Sequence, residues 1–232
     1  MIQSKSLSLA RDKHLGEIAI LMCNGPSLNK VNFALIKSHT IIGLNKIHLG
    51  IKRFKISPRY YVAINRLVIQ QCYQAIKTMP CIKFLPMELF AEGYLPPPPL
   101  SYFLKTENPT EHFHEDISLG VNQGSTVTYV ALQIAFFMGF SKVIIVGMDH
   151  RYHFSGRPHE QREFTGDDVN HFDPSYFRNQ QWNNPDLATS EESYRVARWK
   201  FESAGRRIID CTIGGACDVF QKDTLENALH HP

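Results

Sequence analysis

Five short apolar runs rich in β-branched residues punctuate the chain: IAILM at 18–22, TIIGL at 40–44, YYVAI at 60–64, CIKFL at 81–85 and KVIIVG at 142–147. Each is bounded by polar or turn-forming residues, and together they predict short buried strands. Between several of them the apolar positions take helical spacing. RLVIQQCYQAIKT (66–78) places Leu67, Ile69, Cys72, Tyr73 and Ile76 near one stripe, and STVTYVALQIAFFMGF (125–140) predicts a longer, more buried helix that Gly139 stops. Ser190 to Ala204 predicts a further helix with Ser190 as its N-cap. Arg207 to Cys211 predicts a last strand before the Gly214-Gly215 turn. Strands alternating with helices predict an α/β fold: one doubly wound, mainly parallel sheet that binds ligands at the carboxyl ends of its strands.

Two segments break the pattern. Residues 86–124 carry Pro96-Pro97-Pro98-Pro99, His112 and His114, and residues 151–186 are rich in His, Asp, Asn, Phe and Trp. Both read as irregular insertions near the ligand edge of a single nucleotide-binding domain spanning 1–232. At 232 residues the chain buries one substantial core, and 43% hydrophobic with 20% charged residues excludes a disordered chain. Apolar stretches such as Val143 to Met148 fall far short of the ~20 residues a membrane-spanning helix needs. The polar opening MIQSKSLSLARDKHLGE lacks the apolar core of a secretory signal, so a cytoplasmic location is expected. Cys23, Cys72, Cys81, Cys211 and Cys217 are odd in number and lack Cys-x-x-Cys spacing, which predicts reduced thiols without a disulfide framework or structural zinc. The net charge of +3 is spread along the chain, the patch Lys52, Arg53, Lys55 and Arg59 reads first as a solvated basic face, and no nucleic-acid-binding motif occurs.

Four polar corners carry candidate chemistry. The first strand ends in Asn24-Gly25-Pro26-Ser27, where Gly25 permits close backbone approach, Pro26 suits a first helical turn, and Asn24 and Ser27 bring hydrogen-bonding groups. Such a corner holds a phosphate or nucleotide, or is only a strand-to-helix connection. Gly147-Met148-Asp149-His150 ends the VIIV strand, where Asp149 can bind a ribose hydroxyl, orient a base or hold Mg²⁺, or merely cap a turn. Gly124, Ser125 and Thr126 open the long helix and suit an anion or plain capping. Asn45 and Asn65 stand at or just beyond strands on the same edge as Asn24. In the loop EFTGDDVNHFDPSYF, followed by NQQWNNPDL, His171 is a candidate general base, and Asp167 and Asp168 are either cation ligands or a solvated acidic surface. No P-loop, full Gly-x-Gly-x-x-Gly fingerprint or Gly-x-Ser-x-Gly elbow is present, which counts against ATPases, dehydrogenases and hydrolases of those types.

Taken in order, NGPSL, the GST-started helix, SKVIIVGMDHRY, DDVNHFDPSYF, SYRVARWKFESAGRRIID and the final Gly-Gly turn resemble the MptE-like domain family over roughly residues 18 to 222. That family includes archaeal hydroxymethylpterin diphosphokinases and shares its domain with the motility accessory factor (Maf) flagellin glycosyltransferases. A more distant resemblance is to bacterial CMP-sialic acid-dependent sialyltransferases, which share the Asn-Gly-Pro-Ser turn, a Thr/Ser-started helix ending in Gly-aromatic, and a strand ending Gly-x-Asp. These resemblances imply a Rossmann-like or variant GT-A-like sheet and a cytoplasmic enzyme of glycan biosynthesis.

The sialyltransferase resemblance implies that Asn24, Gly25 and Ser27 hold the donor phosphate and ribose region, that Asn45 and Asn65 recognise nucleotide or sugar, and that Ser125 and Thr126 flank the phosphate or carboxylate. Asp149, beside Gly147, would lie by the cytidine or ribose. His171 matches the order of the family's base but not the letters around it, and His150, standing where those enzymes carry an aromatic residue, is the rival base. The implied activity is transfer of a sugar, such as a nonulosonic acid, from a CMP-sugar donor to a hydroxyl of a glycan, lipid-linked or protein acceptor, with no tightly bound cofactor. A membrane-proximal acceptor is compatible with the mild basicity and the Pro-rich insertion. The alternatives are an ATP- and Mg-dependent diphosphokinase of a pterin alcohol, with Asp149, Asp167 and Asp168 as metal ligands, and a non-catalytic nucleotide-binding module in glycan assembly.

Overall fold

Each of the five apolar runs forms a strand in a computed structural model that describes residues 6–107 and 112–230. Residues 1–5 of the polar opening and 108–111 of the first insertion lie outside the described residues. The strands are β1 (Ile18–Met22), β2 (Thr40–Leu44), β3 (Tyr60–Val62), β4 (Ile82–Pro86), β5 (Ser101–Leu104), β6 (Thr106–Glu107), β7 (Val121–Asn122), β8 (Lys142–Val146), β9 (Gln161–Phe164), β10 (Gln180–Asn183), β11 (Arg207–Asp210) and β12 (Gln221–Lys222). The helices are α1 (Ile51–Phe54), α2 (Arg66–Thr78), α3 (Met87–Ala91), α4 (Val127–Phe137), α5 (Leu187–Ser203) and α6 (Leu225–His230).

Eight strands form one sheet in the order β12-β11-β8-β1-β2-β3-β4-β5, with every neighbouring pair parallel. The chain runs outward from β1 to β5, then returns to place β8 on the other side of β1, with Ile20 paired to both Ile41 and Ile144. Strand order therefore reverses between β1 and β8, which opens a crevice at their carboxyl ends. Side chains alternate between two cores: Ala19 and Leu21 face the layer of α4 and α5, whereas Ile20 and Met22 face the layer holding α2 and the aromatic residues Phe172, Tyr176, Phe177 and Trp182. This is the α/β, doubly wound arrangement expected from the sequence.

The differences from expectation have local causes. The segment 86–124 is not wholly irregular, because β5 adds an eighth strand at the sheet edge; its four residues follow the proline run and offer too little pattern to detect. That run is tied down by side chains: Tyr73 Oη donates to Pro96 O at 2.6 Å, and Lys83, buried in the sheet, spends its three ammonium protons on Met79 O, Cys81 O and Pro99 O. The segment 151–186 contains the antiparallel hairpin β9–β10. Helix α5 begins at Leu187 with Asp186 as N-cap, accepting from Thr189 N at 3.1 Å and Thr189 Oγ at 2.7 Å; Ser190 lies inside its first turn. β11 is not the last strand, since β12 pairs with it although its residues Gln221 and Lys222 are polar and exposed. After β1 the chain forms only a 3₁₀ turn, Pro26–Lys30, with Gly25 as N-cap and Pro26 in the first position.

Candidate functional site

The crevice at the switch point is a cavity of about 490 Å³, in the range of small-molecule sites. Its floor comes from the ends of β1, β2 and β8, one wall from the start of α4 and the body of α5, and the other from the 151–186 segment. Of the expected site residues, Asn24, Gly25, Asn45, Asn65, Ser125, Thr126, Gly147, Asp149, His150 and His171 all line it. Pro26, Ser27, Gly124, Asp167 and Asp168 are not in the lining.

The Asn24-to-Ser27 corner is closed by protein groups. Gly25 N donates to Gly147 O at 2.8 Å, and Ser27 donates to the Asp149 carboxylate through its N–H at 3.1 Å and its hydroxyl at 2.6 Å. A Cβ on Gly25 would stand 2.0 Å from Asp149 Oδ2, so the close approach that demands glycine here is made by Asp149. Gly147 needs its freedom too, with φ +75° and Cys23 O only 3.0 Å from a Cβ position. The N–H and O–H donors of Gly25 and Ser27 that the sequence offered to a phosphate are thus committed within the fold. Gly124 is likewise internal: it adopts φ +51°, its N–H donates to Asn122 Oδ1, and a Cβ would strike Tyr129 and Ser193.

What the cavity does offer is a set of unsatisfied polar atoms. Asn24 Oδ1, Asn45 Oδ1, Asn184 Oδ1 and Ser125 Oγ are buried without a partner among the described residues, and all four residues line the cavity. A buried polar atom left unpaired costs about 1–3 kcal/mol, so four around one cavity mark a place built for a polar ligand. Two of the amides have a defined orientation: Asn24 Nδ2 donates to Leu44 O at 3.1 Å, and Asn184 Nδ2 donates to Ser155 O and Arg157 O at 2.8 and 3.0 Å. Their open oxygens are acceptors, and they want a hydroxyl or amine from the ligand. A phosphate oxygen, itself an acceptor, does not suit Asn24.

Three histidine–carboxylate pairs border the same space: His171–Asp168, His150–Glu191 and, more exposed, His159–Asp186 at 3.2 Å. His171 Nδ1 bonds Asp168 Oδ2 at 2.8 Å, the ring stacks on Tyr176 at 3.9 Å between centroids, and the Asp168 side chain is fully buried. With Nδ1 held by a carboxylate, Nε2 is the nitrogen left to take a proton. His150, at φ +54°, pairs Nε2 with Glu191 Oε1 of α5 at 3.0 Å. Tyr176 is fixed by Lys46, whose ammonium donates to Tyr176 O and Gln180 Oε1 at 2.6 Å each. Burial pushes the Lys46 ammonium down to about 8. Burial also pushes the Tyr152 and Tyr194 phenols well up, so both present neutral O–H groups near neutral pH. Thr126 caps α4 and shares its hydroxyl with Tyr194 at 3.3 Å; Asn65 caps α2 and reaches Asn183 at 3.3 Å.

The carboxylates named as metal ligands do not form a common set. Asp149 is bound by Ser27, Asp168 by His171, and Asp167 pairs with Arg178 at 2.7 Å away from the lining. Among the described residues no group of three or more His, Cys, Asp or Glu is placed to hold a metal ion. In the basic patch, Arg53 has a structural role: it donates to Phe172 O at 3.1 Å and anchors the His171 loop. Arg151, Asn184 and Asp186 also line the cavity, and nothing in the sequence singled them out. The run NQQWNNPDL was visible, but no local signal showed that a hairpin would fold it over the sheet edge.

Among the described residues no helix is long and apolar enough to cross a membrane. No curated protein matches the chain. A solved structure, a Maf glycosyltransferase from Magnetospirillum magneticum, is similar in fold with a TM-score of 0.54 at 13% identity, covering 91% of this chain and 34% of that one. The chain thus spans about a third of the length of that enzyme. Residues 2–154 match the family model described as 6-hydroxymethylpterin diphosphokinase MptE-like. Matched over more than half its length, with six of the sheet's eight strands, the switch point and the β1 and β8 corners inside the match, this chain belongs to the MptE-like family.

Proposed function

We propose that this domain is a glycosyltransferase that binds a CMP-activated sugar, a nonulosonic acid such as sialic acid, and transfers the sugar to a hydroxyl of a glycan, lipid-linked or protein acceptor. The observation that carries the reading is the convergence of four unsatisfied polar atoms and the His171–Asp168 pair on one cavity at the sheet's switch point. The open acceptors of Asn24 and Asn45 suit ribose hydroxyls or a base amine. His171 Nε2 takes the acceptor's proton as its oxygen attacks the anomeric carbon and the bond from that carbon to the phosphate oxygen breaks. Asp168 orients the ring and offsets the imidazolium charge that results. The fold shared with the Maf glycosyltransferase supports a transferase of this kind.

The family description favours a second reading, diphosphate transfer from ATP to a pterin alcohol. The scattered Asp149, Asp167 and Asp168 do not fit the metal set expected for it. Thermal-shift measurements with CMP, CDP, UDP, GDP and ATP, each with and without Mg²⁺, separate the readings. Stabilisation by CMP without metal supports sugar transfer, and stabilisation by ATP with Mg²⁺ alone overturns it. Binding of CMP-sugar without transfer or hydrolysis across acceptors identifies a non-catalytic nucleotide-binding module.

A further inference from the structure

The modest net charge hides a separation of sign. From Ile18 to Met87 the chain carries ten Lys and Arg and no Asp or Glu, whereas the remaining residues hold fifteen Lys and Arg and all twenty-two Asp and Glu. The chain's +3 therefore divides into +10 on this stretch and −7 elsewhere. Such an asymmetry is a statement about partners, because nothing in folding requires it.

The fold gathers this charge on one side. Strands β1 to β4 lie in consecutive order, so the three connections between them cross on the same face of the sheet. Leu28 and Ile36 of the first connection, Phe54 and Ile56 of the second, and Ile69 and Ile76 of the third all belong to one core layer. Outward from that layer stand Lys30 and Lys37, then Lys52, Arg53 and Lys55, then Lys77, all exposed. Arg53 lies 3.9 Å from Asp173, but the five lysine ammonium groups pair with no acid among the described residues. Cations elsewhere have acids beside them, as Arg11 has Asp116 and Lys200 has Glu115 at 2.6 Å.

The same face is partly apolar. Val31, Phe33 and Leu35 stand between Lys30 and Lys37, and Leu49 and Ile51 precede Lys52; each is packed on the core yet only partly buried. Lysines interleaved with half-open aliphatic and aromatic side chains match the headgroup boundary of a bilayer, which offers anions and acyl surface together. A nucleic acid would call instead for base-stacking aromatics along a groove.

We propose that the face built by the β1–β2, β2–β3 and β3–β4 connections docks the protein on an anionic lipid bilayer. Arg53 joins this face to the cavity wall, since it donates to Phe172 O beside His171. A docked chain holds that wall next to the headgroups. Docking requires neither donor nor acceptor, so it stands or falls apart from the sugar-transfer reading.

The test is co-sedimentation of the full chain with vesicles of phosphatidylcholine alone or with phosphatidylglycerol added. One variant joins Lys30→Gln, Lys37→Gln, Lys52→Gln and Lys55→Gln. A control joins Lys13→Gln, Lys105→Gln, Arg157→Gln and Arg195→Gln, which removes the same charge from exposed positions outside the face. The wild-type chain is expected to bind vesicles with about 30% phosphatidylglycerol at least about tenfold better than neutral ones, and to leave them as NaCl rises from about 0.1 to about 0.5 M. Each lysine removed from the face should weaken binding about three- to fivefold and the four together about a hundredfold, with the control within about threefold of wild type. Equal binding to neutral vesicles, equal loss in the two quadruple variants, or no vesicle binding by the wild-type chain overturns the inference. Release by inorganic phosphate at constant ionic strength also overturns it, because that identifies a discrete anion site. Retention on single-stranded RNA with none on vesicles overturns it in favour of a nucleic-acid partner.

Discussion

Ser27 and Asp149, 122 positions apart in the chain, are joined by two donors on one carboxylate: the Ser27 hydroxyl at 2.6 Å and the Ser27 N–H at 3.1 Å. This clasp ties the end of β1 to the end of β8 across the switch point. It turns two corners that each suited a ligand into the rigid floor on which the ligand site is built.

The clasp predicts an intolerance at Gly25. Gly25→Ala places a Cβ 2.0 Å from Asp149 Oδ2 and 2.8 Å from Gly147 O, and is expected to lower stability by about 1–3 kcal/mol in urea unfolding. Adding Asp149→Gly removes the first clash but not the second. The double variant should be more stable than the sum of the two single effects.

The two histidines should separate by function. His171→Ala is expected to lower transfer by about 10²- to 10⁴-fold with CMP binding within about twofold, and Asp168→Asn to give a smaller loss. His150 is tied through Nε2 to Glu191 and stitches α5 to the turn after β8, so His150→Ala should lower transfer less than about tenfold. Parallel turnover and titration measurements on the three variants check this. Full turnover in His171→Ala removes that residue from the mechanism.

Stability should respond to acid through His48. Burial, then the nearby Lys46 cation, pushes its imidazole down to about 4 from 6.5, with Asp173 opposing the shift. A folded-state value below the unfolded one means the contribution is complete above pH 6.5 and is lost as pH falls toward 4. Tm measured from about pH 7 to about pH 4.5 should therefore fall more steeply in the wild-type chain than in His48→Gln, by on the order of a few degrees. Parallel curves for the two proteins would contradict this assignment.

The thiols should be inert in the native state. All five cysteines are free and buried, and burial pushes Cys23 and Cys211 up to about 12 and Cys72 to about 11. Titration with an aromatic disulfide reagent at about pH 8 should show almost no fast reaction before unfolding and five reactive thiols after it.

Much of this molecule is legible along the chain because its determinants are local. Arg66 to Thr78 is a helix as its apolar stripe predicts, with Asn65 capping it, and the run at 18–22 is β1 residue for residue. The fold departs from its local pattern where the signal is short or shared. Ser190 and Asp186 are both good caps, and the chain uses the earlier one; β12 has no apolar residue and pairs only because β11 presents an open edge.

Sequence alone determined the parallel α/β frame and the set of strand-end corners, since periodicity and turn chemistry act within a few residues. Only the tertiary structure decided what each corner does. Whether a donor is free for a ligand depends on what folds against it, and Asp149 reaches Ser27 from 122 positions away while hairpin β9–β10 brings Asn184 to the cavity. These contacts leave the open oxygens of Asn24 and Asn45 and the Ser125 hydroxyl at one cavity, while Gly25 and Ser27, which the sequence had put forward beside them, are spent within the fold.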